Sequence, residues 1–296
     1  MVRGMRKRAL KFIGIPMAPA MAFLLLLLVA IGWALYASFT DLALVGRAAR
    51  DPHWVGFRNY ARLFGDQFFL RSLAISAKFT FGSVAGQCLL GLLLAVLLKR
   101  SDINPHVKTV TAAVVTLCWV IPDIVVVYIW GAFTAPSGML NTLLGTLGVP
   151  PRRWLGELPL ATVTVANIWR GTAFSMILFS SALDTISPVY YEAANVDGAT
   201  PWQRFRHITL PLIAPTIMMD LILITLWTFG YFTLIFGLTG GGPGRATEVM
   251  PVFIYNQSFR FYKIGYGAAL SFVMMLLVGG ISAMYFWLLR KVERLR

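Results

Sequence analysis

The chain has 296 residues, of which 58% are hydrophobic and only 13% charged, and its mean hydropathy is +0.72. A soluble domain carries about 25% charged residues, so this composition excludes an ordinary soluble globular protein and points to several membrane spans. The net charge of +14 does not indicate nucleic acid in so apolar a chain: the basic residues flank apolar runs, where they act as topology signals and lipid-headgroup contacts.

A hydrocarbon core of about 30 Å needs about 20 helical residues, and six stretches meet that length. The first span is expected at about 16–39, around the run Phe23 to Ile31. Arg3, Arg6, Lys7, Arg8 and Lys11 precede it, as in a signal peptide, but the apolar stretch is longer than a cleaved one needs and no Ala-x-Ala site follows, so a retained helix is expected. The second span is expected at 72–98, with Lys78 near one end and able to snorkel. Cys88 within it and Cys118 in the next form no C-x-x-C pair and read as packing residues. The third is expected at 109–133, interrupted by Pro122 and Asp123, and the fourth at 160–183, with Arg170 near its middle. The similar depth of Asp123 and Arg170 predicts an ion pair across these two helices. The fifth is expected at 211–238, with Asp220 in one half and Trp227, Phe229, Tyr231 and Phe232 in the other; the sixth is expected at 264–289. His53, His106 and His207 fall in loops with no ligand spacing, so no metal site is expected.

Lys and Arg near span ends set orientation. With the N-terminus inside, the inner segments 1–15, 99–108, 184–210 and 290–296 carry fourteen basic residues and the outer segments carry ten. Both termini and the 184–215 loop are therefore expected on the cytoplasmic side.

That loop is the most polar helix-forming stretch between two apolar runs. Ser187-Pro188 can open a helix, and Glu192 follows in its early turns, where the helix dipole favours an acid. Ala193 and Ala194 form helix without bulk. Asp197-Gly198 is a stop signal, since glycine accepts the positive φ that ends a helix. Thr200-Pro201-Trp202-Gln203 starts a second helix, with Gln203 where a capping box places it. An ordinary amphipathic connector is the simpler alternative.

Glu192, Ala193, Ala194, Asp197, Gly198 and Ala199, followed by Phe205, Ile208, Leu210, Pro211 and Pro215, resemble the EAA loop of permease subunits of binding-protein-dependent ABC importers. Val55-Gly56-Phe57-Arg58-Asn59-Tyr60 and Leu238-Thr239-Gly240-Gly241-Gly242-Pro243-Gly244 resemble loops of the branch related to the maltose and glycerol-phosphate importers. The resemblance implies an all-α polytopic fold of the type I importer permease kind in the bacterial or archaeal cytoplasmic membrane. It implies coupling to an ATPase through Glu192, Ala193, Ala194, Asp197, Gly198, Ala199 and Phe205. It further implies a non-catalytic chain that binds no cofactor and forms half the pathway for a sugar or polyol. ATP and Mg would be held by two copies of a cytoplasmic ATPase subunit. The other implied partners are a second homologous permease, an extracytoplasmic solute-binding protein or lipoprotein, and membrane lipid; nucleic acid is not among them.

Candidates for the solute path are Asn167, Trp169, Trp227, Tyr231 and Phe232, since aromatic faces stack on the C–H face of a sugar; lipid-facing or packing roles are the simpler alternative. The stretch 240–247 lacks the G-x-x-x-x-G-K-[ST] spacing of a phosphate loop, so a flexible re-entrant or docking loop is expected there, with a plain turn as alternative. Two other function classes compete. An ion-coupled secondary transporter could use Asp123 and Asp220, but would leave the EAA-like loop unexplained. A membrane enzyme would need clustered catalytic side chains, and none stands out.

Overall fold

The computed structural model describes the backbone of residues 2–100 and 102–294, with the side chains of 17, 19–100, 102–288 and 290. The side chains of the basic tail, Arg3 to Lys11, lie outside the described residues. Among the described residues the chain is helical, with one isolated bridge between Thr40 and Trp54.

Twelve helices carry the argument. They are α1 (Val2–Ser38), α2 (Arg58–Gly65), α3 (Gln67–Lys99), α4 (Pro105–Val120), α5 (Asp123–Phe133), α6 (Met139–Gly145), α7 (Pro159–Asp184), α8 (Pro188–Val196), α9 (Pro201–Phe229), α10 (Thr233–Thr239), α11 (Met250–Tyr255) and α12 (Ile264–Arg294). The Pro19–Ser38 part of α1, with α3, α9 and the Ile264–Leu288 part of α12, is long and apolar enough to cross a membrane singly; α4 with α5, and α7 with α8, meet that test only as pairs bent by 108° and 70°.

Two spans differ from the sequence expectation. The third is not one straight helix: Pro122 has no N–H and holds Ile121 in an extended conformation (φ −60°, ψ 130°), so α4 ends and α5 starts in a new direction. The fifth ends at Phe229 rather than near 238. Gly230 caps it, and α10 begins separately at Thr233.

The chain divides into two compact units, Met1–Asp66 with Ile254–Met274, and Gln67–Phe253 with Met275–Arg296. In the first, the Val55–Tyr60 motif is a staple for the end of α1. Asn59 Nδ2 donates to the carbonyls of Ser38 and Thr40, both at 2.8 Å, and Tyr60 Oη lies 2.7 Å from Ser38 Oγ. Gly56 takes φ +57°, which turns the chain into α2. Phe39 stacks on Trp54 and meets Phe57 edge-on.

In the second unit, α3 and α7 cross closely because glycines remove bulk. A Cβ at Gly86 would run into Ile168, and one at Gly91 into Ser175. Small residues at a crossing are how helices approach in lipid, where packing replaces the hydrophobic drive. The main core, including Phe79, Val126, Trp130, Val163, Leu234 and Val252, lies where α3, α5, α7, α10 and α11 meet.

Candidate functional site

Two regions draw together the residues singled out in the sequence, and the first is the 184–215 segment joining α7 to α9. Helix α8 has Ser187 at its N-cap with Pro188 behind it, but the serine side chain makes no capping bond, and Glu192 falls in the second turn rather than the first. Its end is a Schellman turn: Gly198 N–H donates to Asn195 O (3.1 Å), Ala199 N–H donates to Ala194 O (2.9 Å), and Gly198 takes φ +74°. The next helix opens on a complete capping box, with Gln203 N–H donating to Thr200 Oγ1 (3.3 Å) and Thr200 N–H to Gln203 Oε1 (2.8 Å).

At the base of α9, residues Phe205–Thr209 form a widened π turn in which Leu210 N–H reaches back five residues to Phe205 O. Pro211 follows, with no N–H to give and a ring that crowds the preceding turn; widening that turn accommodates it. Tyr191 Oη lies 2.9 Å from Thr209 Oγ1, and Arg204 donates to Asn195 Oδ1, so α8 is tied to the start of α9. Lys99 pairs with Asp184, tying the end of α3 to the end of α7.

The outer side of α8 remains uncovered. Val189 is 65% exposed and Val196 89%, with Ala193 between them on the same face. The spacing i, i+4, i+7 makes this one stripe, continued by Tyr190 and, beyond the turn, by exposed Trp202.

The second region is a cavity of about 220 Å³ walled by α3, α4, α7 and α9. Gln87, Asn167, Arg170, Thr228 and Tyr231 supply its polar groups; Trp119, Phe174 and Trp227 supply an aromatic wall, with Phe174 edge-on to Trp227 at 4.9 Å. Gly171 makes room for the Gln87 amide, because a Cβ there would overlap it, and Gln87 Nε2 donates to Asn167 O at 3.3 Å. Arg170 ion-pairs with Asp123 and donates to Tyr231 Oη at 2.8 Å. Asn167 Nδ2 and Arg170 Nε are buried with no hydrogen-bond partner. The cavity therefore sets amide, hydroxyl and guanidinium side chains beside flat aromatic faces, a combination suited to a hydroxylated solute with an apolar face.

Of the five path candidates, Asn167, Trp227 and Tyr231 line this cavity. Trp169 and Phe232 do not: Trp169 packs beside Trp130 in the core, and Phe232 stacks on Phe236 at 4.7 Å. Sequence reasoning missed Gln87, Trp119, Phe174 and Thr228. The signal for two of them was periodicity: 167, 170, 171 and 174 form one face of α7, and 224, 227 and 228 one face of α9, with Tyr231 just beyond its end.

Asp220 sits apart, fully buried, with Ser175 Oγ at 3.0 Å from both carboxylate oxygens. The 240–247 stretch is closed rather than open: Thr247 Oγ1 bonds to Gly242 O and Thr239 Oγ1, and Arg71 holds Gly244 O.

A sequence family described as "Binding-protein-dependent transport system inner membrane component" matches residues 87–294. The chain is 34% identical over 250 residues to the trehalose/maltose transport system permease protein MalF of Thermococcus litoralis, covering 83% of this chain and 82% of that one. It is 30% identical over 279 residues to the sulfoquinovosyl glycerol transport system permease protein SmoG of Agrobacterium fabrum, covering 93% and 89%. Its fold is similar, with a TM-score of 0.82 at 22% identity, to a chain in the crystal structure of a bacterial ABC transporter that imports the acidic polysaccharide alginate, over 98% of this chain and 99% of that one.

Proposed function

The chain belongs to the binding-protein-dependent transport system inner membrane components, and from that premise we propose that it forms half of an ATP-driven import path for a sugar or related polyol. It is a multi-pass, non-catalytic permease subunit with the fold of type I ABC importer permeases. The observation that carries the solute class is the cavity, where aromatic faces stand beside amide and hydroxyl side chains. The names of the relatives, trehalose/maltose and sulfoquinovosyl glycerol, point to the same broad class.

In this reading the 184–215 segment lies in the cytoplasm, as do both termini, and α8 docks on a separate ATPase that binds ATP and Mg. The exposed Val189–Val196 stripe is the face that enters a groove of that partner. The helices flanking this segment are two of those that wall the cavity: α7 carries Asn167 and Arg170, and α9 carries Trp227 and Thr228. From Asp184 to Arg170 is about 20 Å of continuous helix. Displacement of α8 on closure of the ATPase pair would tilt both walls and shift the population between inward-open and outward-open states. A second permease, two ATPase copies and an external binding protein complete the assembly. Family membership leaves the ion-coupled secondary transporter without support.

The test is uptake by the full complex in proteoliposomes. Asn167→Ala and Trp227→Ala should lower saccharide uptake severalfold while basal ATP hydrolysis continues. Unchanged uptake in both variants would remove the cavity from the path.

A further inference from the structure

We infer that the cavity is built for uncharged hydroxylated solutes and excludes anionic ones, an inference that rests on the cavity being part of the solute path. The names of related transporters do not decide this, since they range from trehalose/maltose to an acidic polysaccharide. The charge around the cavity does.

Arg170 is the one charged side chain among the described residues that line it. A lone guanidinium in a solute cavity would be a carboxylate or phosphate clamp. Here its charge is already answered. One terminal nitrogen is paired with Asp123, and the other donates to Tyr231 Oη. The planar fork that would grip an anion in bidentate fashion is thus occupied by Asp123 of α5 and by Tyr231 beyond the end of α9, and Nε is buried away from solvent.

The remaining polar groups are uncharged amides and hydroxyls: Gln87, Asn167, Thr228 and Tyr231. They can donate to and accept from hydroxyls but cannot balance a full negative charge. Asp220, deeper between α7 and α9, adds no positive charge. An anion entering this cavity would give up water and meet no free counter-charge among the described residues that line it, which is costly in a low-dielectric site. A neutral sugar would lose hydroxyl hydration and regain it from the amides, with its C–H face on Trp227 and Phe174.

The experiment uses the assembled complex of permeases and ATPase in detergent, without the binding protein, so that selection outside the membrane plays no part. Saturation-transfer NMR would measure weak binding of maltose and of the same disaccharide with one hydroxymethyl oxidised to carboxylate. The wild type should bind maltose at least about tenfold more tightly than the acid, and Asn167→Ala should weaken maltose. Asp123→Asn, which frees the Arg170 charge, should close or reverse that preference. Thr228→Lys adds a cation and leaves the pair intact, so it should do the same if the Asp123 variant assembles poorly. Equal or tighter binding of the acid by the wild type would overturn the inference while leaving the cavity as a sugar site. Binding of neither sugar, or maltose binding unaffected by Asn167→Ala, would overturn the site itself.

Discussion

Arg170 shows how one side chain joins structure to selectivity. It bridges α5 and α7 through Asp123 and reaches Tyr231 just beyond the end of α9, so two helices and the turn after a third are referenced to one guanidinium. Removing one partner leaves a mostly buried charge uncompensated, at a cost of about 3–5 kcal/mol. Arg170→Gln or Asp123→Asn alone should therefore reduce the yield of assembled complex, and the swap Asp123→Arg with Arg170→Asp should restore part of it, as read by co-purification from membranes. Full assembly of both single variants would remove the pair as a structural tie. Gly171 makes a second test at this scale. Its missing side chain holds space for the Gln87 amide, so Gly171→Leu should displace that amide and abolish saccharide binding while the complex still assembles.

Helix α8 and its turn form the element on which force transmission depends. Gly198 has open space around it, so steric exclusion is not what requires glycine there; the φ of +74° is. A side chain in that conformation costs about 1–2 kcal/mol. Gly198→Val should distort the turn and uncouple ATP hydrolysis from solute, with membrane insertion intact by fractionation. Thr200→Ala removes one half of the capping box, worth about 1 kcal/mol, and should give a milder loss of stimulated hydrolysis. Wild-type coupling in Gly198→Val would show that this turn is not part of the transmission. Much of this element was legible in the sequence, because caps and stops are local: Thr200, Pro201, Gln203 and Gly198 each act on their own backbone. The cavity was less so. Asn167, Trp227 and Tyr231 were within reach as polar or aromatic residues in spans, whereas Trp119 sits on α4, whose direction relative to α5 changes by 108° at Pro122 and is not visible in sequence. Trp169 and Phe232 misled because an aromatic side chain looks the same in sequence whether it packs a core or faces a path.

Across the molecule, α7 and α9 run from an exposed apolar stripe at one end to an aromatic and amide cavity further along. Six apolar stretches could be read from composition, and Pro122 as an interruption of the third, but not the 108° bend there or the break after Phe229, since these depend on how the chain packs beyond the proline or glycine. The central claim is that α8 carries the work of ATP hydrolysis to the cavity. Saccharide-stimulated ATPase activity of the reconstituted complex, with binding protein present, measures it directly in the variant Val189→Asp/Val196→Asp. The account predicts that this variant loses stimulation several-fold while the detergent-solubilised complex still binds saccharide at wild-type affinity. Stimulation at the wild-type level with two charges on the α8 stripe would contradict it.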